Sequence, residues 1–237
     1  MDEGHASLKL LKKVQSAEAL GIAQLARLNF LVKLFDVARM HQAEPLRGPA
    51  RIGLWGPLRR RLEHIPKPGP VAGRVRNYRQ ADLGRCLELL NAYQKNPALK
   101  FARIWEAESL SKQLEFQDLA FTQVYEKEGN IEGLFNYYIL PLRGKVTVKV
   151  GVMENVYFGN MSPEERSALL AAVLKQVVSE GCAAMVGCNF QYYDQQVLRS
   201  ARFLSYPGYA HFFARGDPDL VRTLRPLKAR EICFDQK

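Results

Sequence analysis

Residues 118–158 read DLAFTQVYEKEGNIEGLFNYYILPLRGKVTVKVGVMENVYF, and the fold is decided here. The first eleven residues alternate as a strand, Gly129-Asn130 supplies a turn, and IEGLFNYYILP (131–141) is a second strand. A third, KVTVKVGVMENVYF (145–158), runs long and stops at Gly159-Asn160. Next comes SPEERSALLAAVLKQVVSEG (162–181), a helix with a Ser162/Glu165 capping box and Pro163 at its first position. A short apolar strand, AAMVGCNF (183–190), an irregular helical piece, YDQQVLRSA (193–201), and a closing strand, RFLSYPGYAHFFARG (202–216), complete the run. A helix bridging the third strand and the next implies a parallel, right-handed crossover.

Upstream, RVRNY (74–78) is a short strand, and Gln80-Ala81-Asp82 opens a helix with Leu83, Cys86, Leu87 and Leu90 on one face. A second helix covers Glu106 to Phe116. Residues 71–217 therefore form one α/β (α+β) domain, with a mixed central sheet of six to seven strands flanked by helices. Residues 1–70 read as an extension: a short helix at 8–20, strand-like alternation in LARLNFLVKLF, then a Pro/Gly-rich linker in which long regular elements are not expected. Residues 218–237 form a basic tail whose Cys-Phe-Asp near the end can add a strand.

Of the 237 residues, 47% are apolar, ample for a core, yet no run approaches a bilayer span. The start, MDEGHASLK, is acidic where a signal peptide is basic. Cys86, Cys182, Cys188 and Cys233 are scattered in apolar surroundings, which favours reduced thiols and a cytoplasmic protein. No zinc spacing joins Cys182, Cys188 and His211, and no His–Asp pairing activates a thiol, so no metal is expected. Residues 1–80 hold fifteen Lys/Arg against six Asp/Glu; the remainder is almost balanced. An anionic partner of this chain (nucleotide phosphate, acidic protein, RNA or membrane) would thus meet residues 1–80, where Arg59-Arg60-Arg61 is the densest run, unless the charge serves only solubility.

The order hairpin, long strand, helix, strand, helix, strand resembles the acyl-CoA-dependent N-acyltransferases of the GNAT superfamily. The likeness is to the C-terminal half of N-myristoyltransferases, which are tandem GNAT proteins. RLEHIPKPGPVAGRVRNYRQADL is similar to that family's linker into its second half. Phe135-Asn136-Tyr137-Tyr138-Ile139-Leu140-Pro141 resembles its Phe-x-Ser-Phe-Tyr-x-Leu-Pro strand, with Asn136 and Tyr137 where Ser and Phe are usual. Asn155-Val156-Tyr157-Phe158 resembles its aromatic central strand, Asn189-Phe190-Gln191-Tyr192-Tyr193-Asp194 its Asn-Ala-Leu-Asp-Leu-Met segment, and Ala201-Arg202-Phe203 its closing Leu-Lys-Phe strand. Leu20–Asp36 resembles the closing strands of another GNAT unit, which would make residues 1–70 the remnant of a first half. The family's acyl-CoA and oxyanion residues lie in that first half, so no residue here inherits them. Its C-terminal carboxylate base has only Asp235-Gln236-Lys237 as a counterpart.

The resemblance implies an acyl group passing from acyl-CoA (acetyl or longer) to an amine-bearing small molecule or peptide. It places Tyr157, Phe158, Gly159 and Asn160 at the cofactor, and Asn136, Tyr138, Glu154 and Asn189 at the acceptor. Tyr192 and Tyr193 are the phenols near enough to protonate a leaving thiolate, the usual Gly-Phe pair being Arg202-Phe203 here. It also implies that strand 155–158 splays from strand 183–189, leaving a wedge toward Gly159. A homodimer is compatible with this reading. One feature departs from the family: Gly159 is the only glycine in Phe158–Glu165, so the helix start that would cradle a diphosphate is capped and acidic. Three functions stay open: an acyltransferase, a non-catalytic GNAT module binding a peptide, small molecule or partner chain, and a nucleic-acid or anionic-surface binder.

Overall fold

The computed structural model describes residues 22–43, 56–95, 99, 101–190, 193–215 and 232–233. Strand β1 (Ile22–Leu34) leads into helix α1 (Val37–Ala43), and α2 (Gly56–Glu63) precedes strand β2 (Arg74–Asn77). A 3-10 turn at Gln80–Asp82 opens α3 (Leu83–Gln94), followed by β3 (Phe101–Ala102) and α4 (Ala107–Leu114). The meander β4 (Ala120–Lys127), β5 (Asn130–Arg143), β6 (Thr147–Tyr157) leads to α5 (Pro163–Ser179), β7 (Cys182–Cys188), α6 (Gln195–Ser200) and β8 (Leu204–Arg215). The last described strand, β9 (Ile232–Cys233), pairs in parallel with β3, so Cys233 of the Cys-Phe-Asp segment does lie in a strand, while Phe234 and Asp235 lie outside the described residues.

The main sheet has seven strands in the order β2-β4-β5-β6-β7-β1-β8, within the expected range. Among its described strands β6 and β7 pair in parallel, across the α5 crossover, and the other neighbours are antiparallel. The β4–β5 hairpin turns on Glu128 and Gly129, with φ of 52° and 80°, one residue earlier than the Gly129-Asn130 reading. Two left-handed residues make the tight turn whose twist matches the flanking strands.

The strand-like run in residues 25–35 is not outside the sheet. As β1 it lies between β7 and β8, in register from Phe30↔Cys188 to Leu34↔Ala184 on one side and from Ile22↔Arg215 to Val32↔Leu204 on the other. Its Ala26, Leu28 and Leu31 enter the core under α5, while Val32 and Leu34 face α1. Lys33 is fully buried, and its ammonium donates to the carbonyls of Leu62 and His64, tying α2 and the following linker to the sheet. Burial, with Arg202 nearby, lowers its pKa to about 8.

Helix α2 occupies part of the segment expected to be extended, and carries Arg59, Arg60 and Arg61. Proline breaks a helix interior, but Pro57 falls in the first turn, where proline is tolerated, and Arg59 pairs with Glu63 one turn on at 2.8 Å. The expected helix at residues 8–20 lies outside the described residues.

The sheet is covered on both faces. Leu169, Leu170, Val173, Leu174 and Val177 of α5 pack on Phe135, Tyr137, Met153 and Met185. On the other face α3 and α4 cover β4 and β5, and α1 covers β6 and β7. Each such buried side chain contributes about 1.5–3 kcal/mol. Helix α6 ends in a left-handed residue, Arg202 (φ 67°), and the amide of Phe203 reaches back to the carbonyl of Leu198 at 3.0 Å. Glycine is the residue this cap prefers. Arg202→Gly is therefore expected to stabilise the protein by about 1 kcal/mol in urea denaturation; a loss of stability would show that the Arg202 charge supports the helix end instead.

Candidate functional site

Strand β6 meets β7 only as far as Val152↔Val186. Beyond that point the two strands part, as the sequence reading requires. A β-bulge gives the physical reason. Phe135 pairs with Val156 and Tyr137 with Met153, so two residues of β6, Glu154 and Asn155, stand opposite the single residue Asn136. A bulge bends its strand and re-aims side chains. Met153 and Val156 both sit in the core under α5, which turns Glu154 and Asn155 together to the opposite face, beside Asn136.

Three amides around the parting strands carry unmatched polarity. The Asn136 amide donates to Thr122 Oγ1 at 2.9 Å, but its Oδ1 has no partner among the described residues. The same holds for Nδ2 of Asn155 and Oδ1 of Asn189, whose backbone N–H donates to Asn29 at 2.7 Å. A buried polar atom left unpaired costs about 1–3 kcal/mol, so these are groups that a ligand or water would satisfy. Glu154 is buried next to them. Tyr138, read as an acceptor residue, is tied by its hydroxyl to the carbonyl of Gln113 at 3.2 Å and so leans onto α4.

Tyr193 lies in the parting itself. It is almost fully buried, and its hydroxyl donates to the backbone carbonyl of Glu154 at 3.0 Å. Tyr192 lies outside the described residues. Cys188 is close by, but burial, reinforced by Glu154, pushes its thiol up to about 12. Cys86 and Cys182 are likewise buried free thiols with raised pKa values, poor nucleophiles at neutral pH. Among the described residues no group of three or more His, Cys, Asp or Glu could hold a metal ion, and no helix is long and apolar enough to cross a membrane.

At the open end of the wedge is a cavity of about 470 Å³. Its lining brings together all four residues read as cofactor-binding, Tyr157, Phe158, Gly159 and Asn160, and adds Tyr93, Arg166 and Asp194. Tyr93 meets Tyr157 edge to face at 5.9 Å. Arg166 donates to the carbonyls of Met161 (2.7 Å) and Gly159 (3.4 Å) and to Asp194 Oδ2 (2.7 Å). Burial opposes ionisation of Asp194, but the Arg166 hydrogen bond and the amides of Val197 and Gln196 hold its pKa below the usual value. Neither residue was singled out from sequence. The available signal was Arg166 in the first turns of a helix, where its charge opposes the dipole and needs a carboxylate.

The start of α5 does not fit a diphosphate. Ser162 Oγ accepts from the Glu165 amide at 3.3 Å, and Glu165 Oε2 accepts from the Ser162 amide at 2.8 Å. Glu165 also takes Tyr125 and Lys127, and its pKa is lowered, first by the Ser162 amide. Glu164 is exposed beside it, and Pro163 has no N–H to offer. The capping box uses donors that an anion would need, and two carboxylates repel it.

No family model matches the chain, and no curated protein does. Solved structures do. N-myristoyltransferase of Saccharomyces cerevisiae with bound myristoyl-CoA superposes with a TM-score of 0.61 at 15% identity, over 81% of this chain and 48% of that one. The same enzyme with myristoyl-CoA and inhibitors gives 0.63 at 14% identity, with the same coverage. The chain thus spans about half the length of the structures it matches. With its mixed seven-stranded sheet, helical crossover and parted central strands, this chain has the GNAT fold.

Proposed function

We propose that the chain carries an amine-bearing peptide or small molecule on the bulged face of the sheet and brings it to an acyl thioester in the wedge. The observation that supports this most is the bulge at Glu154-Asn155, which coincides with the parting of β6 from β7 and gathers Asn136, Asn155 and Glu154 on one face. In the transfer step the amine nitrogen attacks the thioester carbonyl carbon and the C–S bond breaks. Glu154 takes the proton shed by the nitrogen and the departing thiolate takes the Tyr193 proton; exchange with solvent then removes the proton from Glu154 and returns one to Tyr193. Positioning supplies most of the acceleration in such a direct attack.

Acyl-CoA is the donor class bound by the yeast enzyme. In this chain the α5 start does not hold its diphosphate, so a free acyl-CoA is expected to bind weakly, and a carrier-protein thioester is the donor the wedge accepts without it. Calorimetry with acetyl-CoA and myristoyl-CoA, joined to thiol release over a panel of amines and amino-terminal peptides, tests both parts. Low-micromolar acyl-CoA binding would overturn the argument from the capped helix. The capped helix also favours a second reading, a non-catalytic module: peptide binding without thiol release from any thioester would establish it.

A further inference from the structure

A second cavity, of about 290 Å³, opens where the end of β2 lies beside the start of β4. It shares no lining residue with the cavity at the wedge. Two of its lining side chains are buried and unmatched. Gln123 is 8% exposed and Tyr137 fully buried, yet Oε1 of the first and the hydroxyl of the second have no hydrogen-bond partner among the described residues. A protein interior rarely leaves two such groups unpaired on neighbouring strands. At ~30 Å³ per water the space holds roughly ten waters, enough for a small ring compound.

The lining decides the chemistry. Among the described residues no Lys or Arg lines it to compensate an anion, and the one carboxylate, Glu115, is exposed and holds a cation weakly. What remains is amide and aromatic. The rings of Phe121 and Tyr137 stack at 5.6 Å and 15°, and Tyr78 adds a third. Gln117 and Gln176 also line the space; Gln176 donates Nε2 to Glu180 at 2.9 Å, which fixes its orientation. Amide groups offer a donor and an acceptor side by side, the spacing of neighbouring hydroxyls on a ring. Flat aromatic faces cover the C–H surface of such a ring.

We propose that this cavity binds a neutral, hydroxyl-rich ring, a single sugar unit. Gln123 Oε1 accepts from one ring hydroxyl, and the Tyr137 hydroxyl donates to the neighbouring oxygen. This inference does not rest on acyl transfer at the wedge.

Saturation-transfer NMR on the full chain with glucose, galactose, mannose and N-acetylglucosamine tests it. At least one sugar is expected to bind with a millimolar dissociation constant. Gln123→Met and Tyr137→Phe should each weaken it about tenfold, the size of one lost hydrogen bond, while Tyr193→Phe leaves it unchanged. Without sugar, Tyr137→Phe should raise the melting temperature by about 2 °C, because it removes an unmatched buried hydroxyl. Saturation transfer to none of the four sugars, or binding that survives both substitutions, overturns the assignment. So does a fall in melting temperature for Tyr137→Phe, which would mean that the hydroxyl is already satisfied.

Discussion

A chain that starts at Val71 is expected not to fold. Such a truncation removes β1, the strand between β7 and β8. Leu28, Leu31, Val32 and Leu34, none more than 5% exposed, go with it. At about 1.5–3 kcal/mol for each buried side chain, that loss rivals the ~5–15 kcal/mol by which a domain is stable. β7 would be left as an apolar edge, and β8 would lose its one neighbour among the described strands. Circular dichroism and size exclusion should show an aggregated or unfolded chain. A cooperative, native-like melt from the truncated protein would contradict the place of β1 in the sheet. For the same reason, anion binding by residues 1–80 has to be tested by replacing charges, such as those of Arg59, Arg60 and Arg61 on α2, rather than by deletion.

If the chain transfers acyl groups as proposed, Tyr193→Phe is expected to lower the rate by ~10²–10⁴-fold, the range for loss of a positioned proton donor. The hydroxyl stands in the parting between β6 and β7, bonded to the carbonyl of Glu154. Removing it also leaves that carbonyl without its donor, a stability cost of about 1 kcal/mol. The two effects separate cleanly. If the phenol protonates the leaving thiolate, a thioester of a more acidic thiol recovers most of the lost rate; if it only holds the Glu154 backbone, every thioester suffers alike. Full activity in Tyr193→Phe would remove Tyr193 from the reaction.

The frame of the fold was legible because local rules agree along residues 118–216. Alternation, a turn glycine, a capping box and a short apolar strand each name their element without help from distant contacts. Position in the sheet was not. The run around Leu28–Leu34 reads as a strand, but its partners begin at Cys182, and pairing over that distance leaves no periodic trace. The bulge was equally silent, since Glu154-Asn155 follows the alternation of β6 until Met153 and Val156 are seen on one face. For the site, Tyr157–Asn160 do line a common cavity, whereas the Arg166–Asp194 pair joins residues too far apart in sequence for any spacing rule.

The central place of β1 also sets a clock for biosynthesis. The first described strand cannot take its position until β7 exists, some 150 residues later, and β8 cannot pair before both are made. At ~5–20 residues per second on the ribosome, the apolar face of β1 waits roughly eight to thirty seconds for its partner. In that interval Leu28, Leu31, Val32 and Leu34 form an unpaired, β-prone segment of the nascent chain, a natural client for a holding chaperone. Rapid refolding of the finished chain, set against slow and chaperone-dependent maturation during synthesis, is the kinetic signature this strand order imposes.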